Sequence, residues 1–315
     1  MNYINTLEEG NNIQTIYMVK QVNAATTKAG KDYLNVVLQD KTGMLNAKVW
    51  EPNDPGIDDF DSLDYVEVTG EITSFNGALQ MNIRRARKVE MTEVNEADYL
   101  PCTEKDIEQM MSELVDIIGT VQTDDYKKLL NAFFVEDEKF VAAFKKSSAA
   151  KTMHHAFVGG LLEHTLNVTK LCDGYCKLYP EINRDLLITS ALCHDIGKVV
   201  ELSPFPQNDY TDAGQLIGHI VIGTEMVKEK ASKIEGFSPV RLKELMHCIL
   251  SHHGELEYGS PKVPSLVEAM ALSMADNTDA RMEMMKEGLE ADLDEEGWTL
   301  KWNNALDRRI RKTSE

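Results

Sequence analysis

Residues 186–198 read LLITSALCHDIGK, and this stretch decides the fold of the second half of the chain. A mostly apolar run leads directly into His194 and Asp195, followed by Gly197. The run predicts a buried helix, and Gly197 is a residue that commonly ends one. Burying an imidazole and a carboxylate is costly unless they are paired or coordinated. The stretch therefore predicts a helical core with a polar site at a helix end.

Other helical segments of the second half carry residues of the same kind. All eight histidines lie between His154 and His253, and the first 153 residues contain none, so we place the chemistry in this half. The candidates are His164 after a Gly-Gly turn, His219 in LIGHIVIGTEMV, His252 and His253 at the end of SPVRLKELMHCILSHHG, and Asp276 in SLVEAMALSMADNTDA.

Capping residues set the expected limits of two of these helices. Ser238 is the predicted N-cap of one helix, with Pro239 as its first residue and Gly254 as its stop. Ser265 and Glu268 form a capping-box signature at the start of the next helix.

Imidazoles and carboxylates from five buried segments have one joint explanation, a metal site. Nitrogen and oxygen ligands together suit manganese, iron, cobalt or zinc. A single histidine is more simply explained by a hydrogen bond in the core, and His247, alone in mid-helix, is interpreted as structural. His154 and His155 are left open between substrate contacts and exposed residues at a helix entry.

The N-terminal part of the chain has the period of β-structure. Leu34, Val36 and Leu38 share one predicted strand face, and Asn76-Gly77 predicts a tight hairpin. Five short segments rich in β-branched and aromatic residues predict a small closed barrel. They are IQTIYMVKQV, YLNVVLQD, MLNAKVW, YVEVTGEITSF and ALQMNIRRARKV.

From about residue 92 onward the period becomes helical. Thr103, with Asp106 three residues later, predicts the N-cap of a helix that ends near Gly119. Shorter helices are expected around 123–134 and 137–146. We expect these helices to join the barrel to the catalytic domain.

Composition limits the partners and the compartment. The net charge of −19 argues against a protein coated in polyanion, yet a local basic groove or a metal-lined phosphate site remains compatible with it. The five scattered cysteines predict free thiols in a reducing, cytoplasmic compartment. No apolar run approaches the roughly 20 residues of a membrane span, and the N-terminus has no signal-peptide pattern, so no membrane association is expected.

The second half resembles the HD superfamily of metal-dependent phosphohydrolases. HHAFVGGLLEHT, HDIGK, LIGHIVIG and SHHGELEYGSPKVP carry a resemblance over roughly residues 10 to 280 to YhaM-type 3′–5′ exoribonucleases, which join an OB-fold to an HD domain. The ligand series implied for two metals is His164, His194, Asp195 and Asp276 for one ion, with Asp195 bridging to a second ion on His219 and His252 or His253.

This resemblance implies a multidomain chain, with an all-β OB-fold barrel followed by an all-α HD-type domain. The expected limits are 1–91 for the nucleic-acid-binding barrel, 92–150 for a helical linker and 151–315 for the phosphohydrolase domain with a C-terminal tail. It also implies two divalent transition-metal ions, manganese, iron or cobalt, with zinc as a further option. The implied partner is single-stranded RNA, with single-stranded DNA as an alternative.

The mechanism that these residues permit is hydrolysis by a metal-activated hydroxide. A water shared by two ions would be deprotonated near neutral pH and would attack phosphorus in line with the leaving oxygen. Asp195 is the expected catalytic bridge. Lys198 could contact a non-bridging phosphate oxygen or could be a solvated cation at a helix end, and both interpretations stay open.

Substrate contacts are expected from both halves. Tyr33, Trp50 and Phe75 could stack on bases or could be core aromatics. His155 is a candidate contact in the second half. Two basic clusters could follow an RNA backbone: Arg84, Arg85, Arg87 and Lys88 in the barrel, and Arg308, Arg309, Arg311 and Lys312, which could instead be a solvated tail.

Two alternative functions remain open at this point. The chain could be an HD-family phosphohydrolase of cyclic dinucleotides or nucleotides with a regulatory barrel. The Gly-Tyr-Pro signature of the HD-GYP group is replaced here by Tyr258-Gly259-Ser260-Pro261, which counts against that group. The chain could also be a non-catalytic single-strand-binding protein. Assembly into a homo-oligomer is open as well.

Overall fold

A computed structural model of the chain describes residues 2–75, 77–151, 155–290 and 293–314. It falls into two compact units, Met1–Cys102 and Thr103–Glu315. The sequence-based limits 1–91, 92–150 and 151–315 stay a prediction beside this division. Within the described ranges, no helix is both long and apolar enough to cross a membrane.

The first unit is a closed five-stranded barrel with the strand order β1-β2-β3-β5-β4. β3 and β5 pair in parallel, and the other pairs are antiparallel. A small five-stranded Greek-key barrel of this kind is the OB-fold architecture, so the predicted fold class is confirmed for this half. The strands are β1 (Asn12–Thr26), β2 (Asp32–Asp40), β3 (Gly43–Val49), β4 (Tyr65–Phe75) and β5 (Ala78–Val89).

Alternation along β2 places the barrel core as predicted. Val36 and Leu38 are buried in it, and Leu34 packs against it, while Tyr33 lies on the other face of the strand. β4 and β5 pair up to Phe75 and Ala78, as expected for the predicted hairpin. Asn76 of the predicted turn lies outside the described residues.

The second unit is helical in the described part of the chain. The helices are α1 (Ile107–Thr120), α2 (Asp124–Phe134), α3 (Glu138–Lys146), α4 (Gly160–Leu178), α5 (Arg184–Cys193), α6 (Lys198–Glu201), α7 (Asp212–Leu216), α8 (His219–Ser232), α9 (Pro239–Leu250) and α10 (Val267–Leu289). Leu114 of α1 and Phe144 of α3 lie in the same apolar core as Leu162 and Ile188. The helices of the predicted linker are therefore part of the core that carries α4 and α5.

Two predicted helix caps are wrong. α1 begins one turn later than expected, because the carboxylate of Asp106 accepts the hydrogen bond from Gln109 N at 3.0 Å. Thr103 is not the cap, since its hydroxyl donates to Glu163. The capping box before α10 does not form, because Glu268 instead accepts a hydrogen bond from Asn183 N at 2.7 Å.

Helix ends near the predicted site differ from expectation in a consistent way. Ser238 caps α9 and Pro239 opens it, as predicted. α9 then ends at Leu250, ahead of Gly254, and α5 ends at Cys193, ahead of Gly197. The histidines predicted at these helix ends therefore lie in the turns that follow the helices.

Candidate metal centre

The predicted metal ligands converge in the second unit from five separate helices or turns. They are His164 on α4, His194 and Asp195 in the turn between α5 and α6, His219 as the first residue of α8, His252 and His253 in the turn after α9, and Asp276 on α10. Three of these five positions are turns or a helix start, and the other two, His164 and Asp276, lie inside helices.

Glycine is required where the central turn approaches α8. A Cβ atom on Gly197 would lie only 2.1 Å from the carbonyl oxygen of His219. A larger residue would therefore push α8 away from the turn that carries Asp195. At α4, Gly159 adopts a φ of 85° as the N-cap, which directs the helix so that His164 lies one turn inside it.

One group of ligand atoms lies around His164 and His194. The Nε2 atoms of these two histidines are 3.2 Å apart, and Asp276 Oδ1 lies 3.1 Å from His164 Nε2. Asp195 Oδ2 lies 3.4 Å from the Nε2 atoms of both histidines. Four ligand atoms are thus within reach of one cation.

A second group lies on the other side of Asp195. Ligand atoms of His219, His252 and His253 all lie within 4.8 Å of one another. Asp195 Oδ1 lies 3.4 Å from His219 Nε2 and 3.7 Å from His252 Nε2. The two oxygens of one carboxylate therefore face two different groups of histidines.

Three atoms of this second group have no hydrogen-bond partner among the described residues, although they are buried. They are Asp195 Oδ1, His219 Nε2 and His252 Nε2. Leaving a buried polar atom unsatisfied costs about 1–3 kcal/mol. A bound cation would coordinate all three at once, so the residues fit a metal.

Hydrogen bonds fix the same ring tautomer in several of these histidines. Nδ1 of His194 donates to Ala191 O, and Nδ1 of His252 donates to Ile249 O, each at 2.7 Å. Nδ1 of His253 lies 2.9 Å from the Tyr258 carbonyl oxygen. A carbonyl can only accept, so the proton is on Nδ1 and the lone pair of Nε2 is free for a metal.

Two histidines are held by carboxylates instead, and the sequence did not predict these partners. His164 Nδ1 lies 2.7 Å from Asp279 Oδ2, and His219 Nδ1 lies 2.9 Å from Glu201 Oε1. Carboxylates behind metal-binding histidines orient the ring and raise its basicity. A sequence signal did exist for Asp279, which follows Asp276 by three residues, about one helical turn.

Without a metal, the local charges favour the metal-binding forms of Asp195 and His252 but the protonated form of His164. The buried carboxyl of Asp195 keeps a pKa well below its usual value, because Lys198 and His194 outweigh the effect of burial. Burial, together with His253 and His194, holds the pKa of His252 well below its usual value. For His164, burial is outweighed by Asp276 and Asp279, and its pKa rises to about 9.

Lys198 is neither solvated nor at the end of α5. Its side chain is 13% exposed, and its Nζ lies 2.7 Å from Asp195 Oδ2. The interpretation as a solvated cation is therefore wrong, because the Asp195 carboxylate draws the ammonium into the centre.

The structure also corrects His155. Its side chain is fully buried, and its Nε2 lies 2.9 Å from Asp279 Oδ2, the oxygen that also contacts His164. It therefore lies behind a candidate ligand and is neither an exposed helix-entry residue nor placed to contact substrate. His154 lies outside the described residues. His247 accepts a hydrogen bond from Ser265 N at 2.9 Å, in agreement with a structural role.

The candidate stacking residues lie on the surface of the barrel. Tyr33 stacks on Trp50 with ring centroids 5.1 Å apart, and Trp50 is 44% exposed. Phe75 is 65% exposed. Lys48 Nζ lies 5.0 Å from the centre of the Tyr33 ring. The alternative that these three aromatics belong to the core is wrong.

The basic cluster of the barrel is largely neutralised by carboxylates of the neighbouring strand region. The ion pairs are Arg84 with Glu71 at 2.6 Å, Arg87 with Glu67 at 3.0 Å and Lys88 with Asp64 at 2.7 Å. Arg85 is exposed and has no ion pair within the ranges that the structure describes. Of the four cations in the barrel cluster, Arg85 is thus the one without an ion pair among the described residues.

The C-terminal cluster is not a solvated tail. Arg309 donates to Thr299 O and pairs with Asp294, and Arg311 donates to Glu296 O. Ile310, between them, is buried. These guanidinium groups therefore tie a folded C-terminal segment together.

Comparisons with known proteins agree with this architecture. The HD domain family matches residues 161–281, the span that holds every metal ligand predicted from the sequence. The 3′-5′ exoribonuclease YhaM of Geobacillus sp. (strain WCH70) is 36% identical over 288 residues, covering 90% of this chain and 86% of that protein. The protein of the same name from Bacillus subtilis (strain 168) is 33% identical over 284 residues, covering 90% of this chain and 89% of the relative.

Among solved structures, the second OB-fold domain of replication protein A from Methanococcus maripaludis is 22% identical to this chain. It covers 29% of this chain and 96% of its own length, with a TM-score of 0.24.

The relatives span both units of the chain, so the expected combination of barrel and HD domain is confirmed. An HD domain implies binding of divalent metal, and the two groups of ligand atoms fit it. The chain therefore belongs to the YhaM family of 3′–5′ exoribonucleases, hydrolases that act on phosphodiester bonds.

Proposed function

We propose that this chain is a metal-dependent 3′–5′ exoribonuclease that shortens single-stranded RNA. The observation that carries the proposal is the position of Asp195, whose two oxygens face separate groups of histidines at 3.4 Å. A carboxylate in this position can bridge two cations, which is the arrangement of many phosphodiester hydrolases. Single-stranded DNA is an alternative substrate of the same chemistry.

The centre would hold two divalent transition-metal ions, manganese, iron or cobalt, with zinc as a further option. The first would be bound by His164, His194, Asp195 and Asp276, and the second by Asp195, His219, His252 and His253. Bound ions would lower the pKa of a water molecule and neutralise charge on the phosphate. The unpartnered atoms of Asp195, His219 and His252 support the second position.

The protein's own groups would act around these ions in three ways. Hydrogen bonds from the Nδ1 atoms hold the imidazole rings before substrate arrives, so little reorganisation is needed. Lys198, 2.7 Å from Asp195, places a positive charge beside the reacting phosphate and could donate to a non-bridging oxygen. Burial of His194 and Asp195 excludes bulk water, which strengthens both effects.

The barrel would bind the single strand by stacking. The half-buried Tyr33 and the exposed Trp50 stack on each other and offer an aromatic surface with Lys48 beside it. Stacking of a base on an aromatic side chain contributes about 1–3 kcal/mol and tolerates any sequence. This suits an enzyme that must accept each nucleotide in turn.

We also propose that the protein acts in the cytoplasm. Its five cysteines are all free in the structure, which suits a reducing compartment.

The test is hydrolysis of 5′-labelled single-stranded RNA by the manganese-loaded protein, resolved on a sequencing gel. We expect a ladder that shortens from the 3′ end, and no ladder with the Asp195→Ala variant, which lacks the bridge. RNA labelled at its 3′ end should release labelled mononucleotide from the first turnover. Internal cleavage, or activity in Asp195→Ala with normal metal content, would contradict the proposal. Intact RNA together with hydrolysed cyclic dinucleotides would favour the small-substrate alternative.

A further inference from the structure

Two buried carboxylates behind the metal ligands have no role in the mechanism so far. They are Asp279, which contacts His164, and Glu201, which contacts His219. His164 belongs to the first group of ligand atoms and His219 to the second. Each proposed ion position therefore has one histidine backed by a carboxylate, while His194, His252 and His253 are backed by neutral carbonyl oxygens.

Glu201 holds His219 at two points. Its Oε1 accepts hydrogen bonds from the backbone N and from the ring Nδ1 of His219, both at 2.9 Å. The residue before His219 is Gly218, which has no side chain to cap α8. Glu201 thus supplies the cap from another helix and orients the ring in the same contact.

Glu201 is itself fixed in place. Its side chain lies on α6, its residue is buried, and its carbonyl accepts from Thr211 N at 2.9 Å. A Cβ atom on Gly214 would lie 2.3 Å from that carbonyl oxygen, so the start of α7 packs closely against Glu201. Glu201 lies on the same short helix as Lys198. The segment 195–201 therefore carries Asp195, its ion-pair partner Lys198, and Glu201, which holds His219.

Asp279 has the corresponding position on the other side. Its Oδ2 lies 2.7 Å from His164 Nδ1 and 2.9 Å from His155 Nε2. It lies one helical turn beyond Asp276, so α10 would supply both a ligand and the group behind a second ligand of the same ion. The buried His155 is accounted for as the partner that helps to hold Asp279.

We propose that Glu201 and Asp279 are positioning residues that act on different ions, Asp279 on the first through His164 and Glu201 on the second through His219. This rests on the proposed two-ion centre. Loss of a carboxylate behind a metal-binding histidine typically lowers metal affinity about 10–100-fold. If the two residues act separately, each change should weaken one ion and leave the other bound as before.

The test measures manganese bound to the purified full-length protein by equilibrium dialysis and elemental analysis. We expect two ions on the wild type. Glu201→Ala should keep one at wild-type affinity and bind the other about 10–100-fold more weakly. Glu201→Gln should be intermediate, because its amide oxygen can still accept the bonds from His219 but carries no charge. Glu225→Ala, an exposed change on α8, is the control and should match the wild type.

The combination with Asp279→Asn separates the two residues. If they act on different ions, the double variant Glu201→Ala, Asp279→Asn weakens both ions. If one ion stays tight in the double variant, the two residues do not each hold a separate ion and the proposal is wrong. Circular dichroism checks folding, and if Glu201→Ala does not fold, Glu201→Gln is used in its place.

The outcomes distinguish this inference from the proposed function. Wild-type protein with two ions and Glu201 variants with unchanged affinities would overturn only the positioning roles. Wild-type protein that binds fewer than two ions would overturn both the two-ion centre and the present inference.

Discussion

Replacing Lys198 by methionine tests how charge is balanced at the centre. In the structure the Lys198 ammonium lies 2.7 Å from Asp195 Oδ2, and the two side chains are only 13% and 2% exposed. Methionine keeps the length of the side chain but removes the positive charge. Asp195 would then be a buried carboxylate without its cation, and losing one partner of a buried pair costs about 3–5 kcal/mol.

This loss of stability should be larger without bound metal than with it. Without ions, the loss corresponds to a fall in Tm of roughly 6–20 °C, since 1 kcal/mol shifts Tm by about 2–4 °C in a domain of 150–250 residues. With ions bound, two divalent cations would compensate the Asp195 charge, and most of the difference should disappear. Lys198→Met should therefore gain more from manganese than the wild type does.

The assay is differential scanning calorimetry of Lys198→Met and wild type, each with EDTA and with saturating manganese. Lys233→Met is the matched control, because Lys233 forms an exposed pair with Glu229 on α8 and should change stability by no more than about 0.5 kcal/mol. An equal loss of Tm in EDTA and in manganese would refute the reasoning, because the lysine would then stabilise the fold independently of the ions.

Three further predictions concern substrate and pH. The double variant Tyr33→Ala, Trp50→Ala should weaken binding of a long single-stranded RNA, measured by fluorescence titration, by about 1–3 kcal/mol for each base stacked. Hydrolysis of a dinucleotide should stay unchanged. Equal losses in RNA binding and in dinucleotide hydrolysis would contradict a stacking role. Arg85→Ala should reduce the slope of log RNA affinity against log salt concentration by about one. Arg84→Ala should reduce this slope less, because Arg84 is already paired with Glu71. A larger effect of Arg84→Ala would show that this ion pair opens when RNA binds. Manganese affinity should rise with pH from 7 to 9 by up to about tenfold per unit in buffered dialysis, because His164, whose pKa is raised to about 9, must lose its proton to bind. A flat profile would contradict a protonated His164 ligand in the metal-free protein.

The sequence predicted the elements that depend on apolar periodicity. The run before His194 and the alternation of Val36 and Leu38 specify which face is buried, and burial dominates the folding of such segments. The metal-type residues could be placed because each lies in or directly beside such a run.

Residues whose roles depend on distant partners could not be predicted in this way. Glu201 and His219 are 18 positions apart and meet only because α6 and α8 pack closely. Two helix-cap predictions were wrong for a related reason. Thr103 and Glu268 each form a hydrogen bond with a residue remote in sequence, and that bond replaces the predicted cap. Apolar periodicity predicts which face of a segment is buried, but it does not predict which polar group that segment will contact.

The ion pairs of the basic residues in the barrel could not be predicted from sequence periodicity either. Arg84 and Arg87 form a cluster in sequence, but whether they are free depends on the register of β5 against β4. That register shifts between Thr69 and Gly70, and such an irregularity is not visible in the pattern of the strands. The resulting ion pairs turn a predicted cationic groove into a nearly neutral surface.

This neutralisation bears on how a chain with a net charge of −19 could act on RNA. Long-range attraction is not available to it, because most of the barrel cations are already paired and the whole molecule repels polyanions. Bound divalent ions would reverse the potential locally, at the one place where a phosphate must be held. Binding of a single strand should then depend on base stacking and on loaded metal more than on lysine and arginine. We therefore expect a shallow salt dependence for RNA binding, and weaker binding to the metal-free protein than to the manganese-loaded Lys198→Met variant.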